Sequence, residues 1–156
     1  MPFDFGDGYV EMKLAEQEVL DWVGSDRASA VHEILRREAD RLSEMRSEYV
    51  LVHGDFNPSN VLVQDGDVMA VLDWEYAHSG PPYMDIGNLL RNTGPQFHDA
   101  IGRGLRSVGF DLPDDWKDWA GLVDISSHLE FLASTRSDEF KCSRVALIEK
   151  FICMFS

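Results

Sequence analysis

The chain has little of three things: cysteine, positive charge and long apolar runs. It contains two cysteines, Cys142 and Cys153, whose spacing matches neither a disulfide framework nor a metal cluster. Fourteen Lys and Arg stand against twenty-eight Asp and Glu, and the resulting charge of −14 repels nucleic acid phosphates and anionic lipids. The sequence shows neither a signal-peptide pattern nor an apolar run near the roughly 20 residues of a membrane span. These absences predict a reduced, cytoplasmic protein that binds neither nucleic acid nor membrane.

The composition provides enough apolar material for one hydrophobic core. Hydrophobic residues make up 44% of the 156 residues and include nine Phe and four Trp, which suits one domain of this length. We therefore expect residues 1–156 to form a single domain. The acidic balance favours cationic or neutral partners, although a solvating surface is the simpler explanation of the charge.

Helical patterns flank one β-rich patch in the middle of the chain. Apolar periodicity predicts a short helix over 12–23 and a long amphipathic helix from 29 to about 49 that leads directly into a strand-like YVLV. An Asp-Gly pair predicts a hairpin between the apolar runs 61–63 and 68–72. Further helices are expected after the Pro81-Pro82 break and at about 95–108, 114–134 (with Asp114 as N-cap) and 139–154.

The stretch HGDFNPSN, residues 53–60, lies between two apolar runs and carries Asp55 and Asn60. The hairpin should fold back and bring Asp73, at its end, beside this loop. Carboxylate and carboxamide oxygens are hard ligands that Mg²⁺ prefers. A nucleotide-dependent phosphoryl transferase needs Mg²⁺ and a carboxylate that takes the proton of the attacking hydroxyl. An ordinary turn explains Asp55 alone, but the joint spacing favours the catalytic interpretation.

His53-Gly54-Asp55, Asn60 and the segment LDWEYAHSGPPYMDIGNLLR, residues 72–91, resemble the aminoglycoside phosphotransferase family. This family is the small-molecule branch of the kinase-like fold and includes choline and ethanolamine kinases. The resemblance implies an α+β fold: the mostly helical C-terminal lobe of the protein-kinase-like fold, with a small β-hairpin that carries the metal motif. It also implies ATP- or GTP-dependent phosphorylation of a hydroxyl on a small molecule, such as an aminoglycoside-like compound, an amino-alcohol or a sugar.

The same resemblance assigns roles to single residues. Asp55 would be the catalytic base, Asn60 would ligate one Mg²⁺, and Asp73 would ligate Mg²⁺ bound to the nucleotide phosphates. His53 would support the loop by packing, and Asp85 would hydrogen-bond the loop backbone, although a plain helix N-cap also predicts Asp85. The residues that bind the nucleotide base and the acceptor stay unassigned.

The parts that cover the nucleotide in such enzymes have no counterpart before His53. These parts are a glycine-rich loop, a strand lysine and a helix glutamate, whereas Lys13 and Glu16 lie one helical turn apart. We therefore expect the C-terminal lobe alone, a fragment of a longer kinase that is inactive by itself, with the nucleotide-covering lobe absent. The alternative is a natural stand-alone lobe that acts as a binding or scaffold module. Apolar surface uncovered in this way predicts self-association into a homo-oligomer.

Overall fold

The protein is described here from a computed structural model, in which residues 7–156 are described. This part of the chain is mostly helical and has two small antiparallel sheets, an α+β arrangement. It divides into two compact units: the stretch up to Glu44 together with Gly121–Ser156, and Met45–Ala120. A single domain over residues 1–156 remains a prediction. None of the helices in residues 7–156 combines the length and the apolar character that a membrane crossing requires.

In the described residues, four helices are followed by four strands, and these are followed by four more helices. The helices are α1 Asp7–Leu14, α2 Gln17–Val23, α3 Ser25–Arg37, α4 Ala39–Arg46, α5 Tyr83–Asn92, α6 His98–Ser107, α7 Trp116–Leu132 and α8 Asp138–Met154. The strands are β1 Val50–Val52, β2 Val61–Gln64, β3 Asp67–Val71 and β4 His78–Gly80. Short 3-10 turns lie at Pro58–Asn60, Trp74–Tyr76 and Pro95–Phe97.

Two helices that the sequence predicts as continuous are broken in the structure. The pattern over 12–23 belongs to α1 and α2, which are separated at Ala15 and Glu16. The pattern over 29–49 belongs to α3 and α4, which are separated at Glu38, and α4 ends before β1 begins. The prediction of continuous helices was wrong because apolar periodicity records which face is buried and survives a break of one or two residues.

The first unit is a cluster of helices around α3, which contacts α1, α2 and α8. Its buried positions recur at helical spacing, as an amphipathic helix requires. Ser137 caps α8 by accepting the backbone N–H of Phe140 at 3.3 Å. Side chains buried at the centre of this unit are Val10, Val19, Val23, Val31, Leu122, Ile125, Leu129, Leu132 and Ile148.

The second unit carries both sheets. β1 pairs with β4, and β2 pairs with β3. The predicted hairpin is confirmed: Asp65 and Gly66 at its turn have φ of 53° and 92°, the left-handed values that a two-residue type I′ turn needs. The partner of β1 was missed, because His-Ser-Gly has little strand character and adjoins a proline break. Buried apolar residues of this unit are Met45, Val52, Tyr83, Met84, Ile86, Leu112, Trp116 and Ala120.

Candidate active site

The HGDFNPSN loop connects the end of β1 to the start of β2. At its beginning, Val52 and His53 are both buried, with 1% and 2% of their surfaces exposed. Near its end, the Asn57 side chain accepts the backbone N–H of Ser59 at 3.0 Å, and Pro58 occupies the first turn that follows. Asn and Pro in these positions are typical of a tight turn. The loop is therefore anchored by buried residues where it begins and by a tight turn near its end.

The carboxylate of Asp55 accepts hydrogen bonds from two side-chain amides. Nδ2 of Asn57 lies 3.0 Å from Oδ1, and Nδ2 of Asn60 lies 3.1 Å from Oδ2. The same two amide groups donate to the backbone carbonyl of Asp55, at 3.2 and 2.9 Å. Asp55 itself is half-buried. Its carboxylate is therefore held in one orientation while it stays accessible, as a group that takes a proton from an approaching hydroxyl must be.

Asn60 links this carboxylate to the end of the hairpin. Its amide nitrogen donates to Asp55, so Oδ1 is the end of the side chain that is left to bind a cation. Its backbone carbonyl accepts the N–H of Leu72 at 2.8 Å. Because Asp73 is the next residue, this bond places the end of the hairpin beside the loop, which is the juxtaposition that the sequence predicts.

His53 is a second link between the loop and the hairpin. Its Nδ1 accepts the N–H of Asp55 at 3.2 Å, and its Nε2 lies 2.7 Å from the carbonyl oxygen of Leu72. Since an N–H donates and a carbonyl accepts, these partners select the neutral tautomer with its proton on Nε2. The ring also packs on Trp74 and Phe56, with centroid distances of 4.8 and 5.9 Å. The side chain is therefore a hydrogen-bonded bridge as well as a packing group.

Asp85 lies in the first turn of α5 but does not cap it, because Pro82 occupies the N-cap position. The N-cap interpretation was therefore wrong. The two oxygens of Asp85 accept the backbone N–H groups of His53 and Gly54, at 2.7 and 3.0 Å. Asn88, one turn further along α5, donates its Nδ2 to the carbonyl of Gly54 at 3.1 Å. Sequence reasoning missed Asn88, although its spacing of three from Asp85 puts both on one face of a helix.

Asp73 adopts an unusual backbone conformation at the end of the hairpin. Its φ of 65° and ψ of 57° are left-handed, a strained choice for a residue other than glycine and one that is common at functional sites. The charge of Glu75 and its hydrogen bond are the largest causes of a raised pKa of the Tyr76 phenol, with smaller contributions from burial, Asp73 and Asp55. The charges of Glu75, Asp73 and Asp55 therefore all act on this one hydroxyl.

Asn60 and Asp73 offer oxygen donors of the kind that a magnesium ion binds. Within the described part of the chain, no three His, Cys, Asp or Glu side chains form a ready-made metal site. Mg²⁺ does not require one, because it binds through one or two carboxylates and takes its remaining ligands from water and substrate phosphate. Oδ1 of Asn60 and the carboxylate of Asp73 are of the required kind.

The hairpin leaves apolar side chains exposed on both of its strands. Val63 lies opposite Val68 in the strand pairing, and they are 55% and 65% exposed. Two strands by themselves seldom bury enough surface to be stable, so these side chains form a surface suited to binding. Leu62, Met69, Leu72, Trp74 and Tyr76 are also about half exposed or more.

An apolar groove of about 220 Å³ lies among β1, the loop, α5 and α6. The loop contributes Phe56, which follows Asp55 directly. The charged residue in its described lining is Asp85, whose two oxygens already accept N–H groups of the loop. The groove therefore accommodates an apolar group more readily than a charged one. Its other lining residues are Val50, Leu51, Val52, Pro82, Ile86, Leu89, Ile101, Leu105 and Phe110.

Two curated proteins are similar in sequence to part of this chain. Acyl-CoA dehydrogenase family member 11 of Gallus gallus is 30% identical over 84 residues, which are 52% of this chain and 11% of that protein. The protein of the same name from Mus musculus is 33% identical over 98 residues, 57% of this chain and 13% of that protein. The chain thus spans a small part of the length of these curated relatives.

The family comparison covers most of the chain. No solved structure matches the chain. The model of the phosphotransferase enzyme family, APH, matches residues 3–122, a range that contains the loop, the hairpin and α5. The resemblance found in the loop motif is confirmed, and the chain belongs to the phosphotransferase enzyme family.

Proposed function

We propose that this chain carries the catalytic loop of a kinase-like enzyme that transfers a phosphoryl group from ATP or GTP to a hydroxyl of a small molecule. Family membership supports the reaction class. The observation that carries the residue assignment is the connected set of hydrogen bonds that joins Asp55 to Asn60 and His53, and both of these to Leu72, the neighbour of Asp73. Such a network holds a base and metal donors in fixed relative positions.

Asp55 is the proposed catalytic base. The acceptor hydroxyl would donate its proton to a carboxylate oxygen of Asp55 while the acceptor oxygen attacks the γ-phosphorus. The bond from that phosphorus to the bridging oxygen of the nucleoside diphosphate breaks in the same step. The amides of Asn57 and Asn60 keep the carboxylate oriented for this transfer. His53 and Asp85 hold the backbone on either side of Gly54.

Asn60 and Asp73 are the proposed magnesium ligands. When bound there, Mg²⁺ would neutralise charge on the nucleotide phosphates. The contribution of the chain is to present two hard oxygen donors from the loop and the hairpin end. The Asn60 side chain is prepared for this role, because its nitrogen is already bound to Asp55.

The proposed acceptor is a small hydroxylated molecule of the aminoglycoside-like, amino-alcohol or sugar type. A charge of −14 raises the local concentration of a cationic acceptor. We also propose a cytoplasmic setting, in which the two free, exposed cysteines stay reduced. A second candidate function, a non-catalytic binding or scaffold module, is favoured by the exposed apolar side chains of the hairpin.

Thermal unfolding of the whole chain in the presence of Mg²⁺ and ATP or GTP tests whether the proposed site binds nucleotide. A ligand at 100 times its Kd stabilises the folded state by about 2.7 kcal/mol. We expect the melting temperature to rise only when Mg²⁺ and nucleotide are both present, and Asp73→Ala to abolish the rise. Asp111→Ala removes an exposed aspartate outside the site and should keep it. A wild-type chain without any shift would mean that this lobe does not bind nucleotide by itself, as expected of a catalytically incomplete lobe or of a non-catalytic module.

A further inference from the structure

Asn88 is a buried polar residue with a fixed orientation. It is 4% exposed and lies in the middle of α5. Its Nδ2 donates to the carbonyl of Gly54 at 3.1 Å, and its Oδ1 accepts a hydrogen bond from the guanidinium of Arg91. Both ends of the amide are therefore engaged. The Arg91 contact keeps the nitrogen directed at the loop, because a guanidinium donates and cannot accept.

The bond from Asn88 acts on the peptide group that joins Gly54 to Asp55. The oxygen of this group is bound by Asn88, and its N–H donates to Nδ1 of His53 at 3.2 Å. A peptide group is planar and rotates as one body, so two partners on its two polar atoms fix its plane. The direction of the Asp55 side chain follows from that plane.

This peptide group needs such restraint because its carbonyl belongs to a glycine, Gly54. Gly54 has a φ of 82° and no side chain, so its backbone has more accessible conformations than that of any other residue type. Asp85 fixes the N–H of Gly54 at 3.0 Å, but a bond at that atom leaves rotation about the following bonds free. Asn88 binds the carbonyl on the far side of the same residue. One helix thus holds Gly54 at both of its polar backbone atoms.

We propose that Asn88 is a positioning residue, which sets the Gly54–Asp55 peptide plane and thereby aims the carboxylate of Asp55. The catalytic meaning of this role depends on the proposed function of Asp55 as a base. The restraint on the loop backbone does not depend on that function. The positioning role of Asn88 and the catalytic role of Asp55 can therefore fail separately.

Asn88→Asp is the sharpest variant, because it keeps the shape of the side chain. It replaces the N–H donor with an oxygen that opposes the carbonyl of Gly54, while the contact with Arg91 becomes an ion pair. Asn92→Asp makes the same substitution on the same helix, where the side chain donates to the carbonyl of Asn88 at 2.7 Å and not to the loop. Asn88→Ala removes the donor without introducing a buried charge. It replaces Asn88→Asp in the test if that variant does not fold.

Backbone hydrogen exchange of the whole chain, followed by NMR without any ligand, tests the restraint. In Asn88→Asp we expect the amides of Gly54 and Asp55 to exchange about tenfold faster. The amides of Leu89 and Leu90 in α5 should keep their protection, and Asn92→Asp should leave the loop unchanged. Unchanged exchange at Gly54 and Asp55 in both Asn88 variants would overturn the proposal.

Kinetics supply the second readout once an acceptor is found. A misaimed base lowers kcat and leaves the KM for the nucleotide unchanged, whereas a merely unstable variant recovers its kcat on cooling. We expect the first pattern for both Asn88 variants and wild-type values for Asn92→Asp. If exchange accelerates but Asp73→Ala keeps the rise in melting temperature with Mg²⁺ and nucleotide, Asn88 positions the loop and the proposed function of the site is wrong.

Discussion

The loop over 53–60 and the hairpin that follows it are neighbours in sequence but differ in how their side chains are engaged. In the loop, polar side chains such as His53 and Asn60 are buried and bound to other loop atoms or to the hairpin end. In the hairpin, apolar side chains such as Val63 and Val68 are more than half exposed. The orientation of Asp55 is therefore set by contacts within the chain, whereas the hairpin is the part whose surface is open to binding.

Two glycines with similar backbone angles provide the strongest test of this contrast. Gly54 in the loop has φ of 82°, and Gly66 in the hairpin turn has φ of 92°. A Cβ on Gly54 would lie 2.6 Å from the carbonyl oxygen of Tyr76, whereas a Cβ on Gly66 meets nothing within 4 Å. Gly54→Ala should lower the free energy of unfolding by about 3 kcal/mol, from strain and overlap together. Gly66→Ala should cost about 1 kcal/mol, from strain alone.

Urea denaturation of the two variants measures this difference directly, because each contains the same added methyl group. The Gly66 variant is the control for backbone strain. Equal losses for both positions would mean that the loop yields to the added atom as easily as the hairpin turn does, and the contrast would not hold.

Self-association is the next largest effect, and we propose that it occurs through the hairpin. Val63→Thr together with Val68→Thr keeps the branched shape that strands favour and removes two exposed apolar groups that face each other. We expect the stability to change by less than about 0.5 kcal/mol per site, and the association constant to fall severalfold. Val108→Thr changes an 80% exposed valine outside the hairpin and should have no effect on association.

Sedimentation over a range of protein and salt concentrations provides the measurement. Added salt screens the repulsion between chains that each carry a charge of −14, so association should strengthen as the salt concentration rises. A wild-type chain that stays monomeric at high protein and salt concentration would contradict the proposal.

Much of the loop and the hairpin could be predicted because their signals are local. The Asp-Gly turn, the turn-prone HGDFNPSN and the spacing from Asp55 to Asp73 each depend on residues close in sequence. Intrinsic preferences of this kind are readable from neighbours. Helix continuity was predicted less well, because a break at Glu38 leaves the apolar stripe on either side unchanged.

The contacts that aim the loop could not be derived from local pattern. Asp85 and Asn88 bind Gly54 across more than thirty residues of sequence, and the local pattern around Asp85 indicated a helix cap. The role of Asp85 came from family resemblance, and Asn88 had no signal of its own. Such partners depend on where a helix packs, which is a property of the tertiary structure.

The smallest expected effect concerns Tyr76, an exposed phenol at the hairpin end whose pKa is raised mainly by Glu75, with smaller contributions from Asp73 and Asp55. Negative charge disfavours the phenolate, so any stability linked to this proton is present below the ordinary pKa of about 10 and is lost as the pH rises through the folded value. The difference in phenolate absorbance between wild type and Tyr76→Phe follows this titration. Glu75→Gln should lower the pKa most, Asp73→Asn less, and Asp67→Asn in the hairpin not at all. Equal shifts in all three variants would mean that the overall charge of the protein, and not an acidic surface around Asp55 and Asp73, sets the pKa of this phenol.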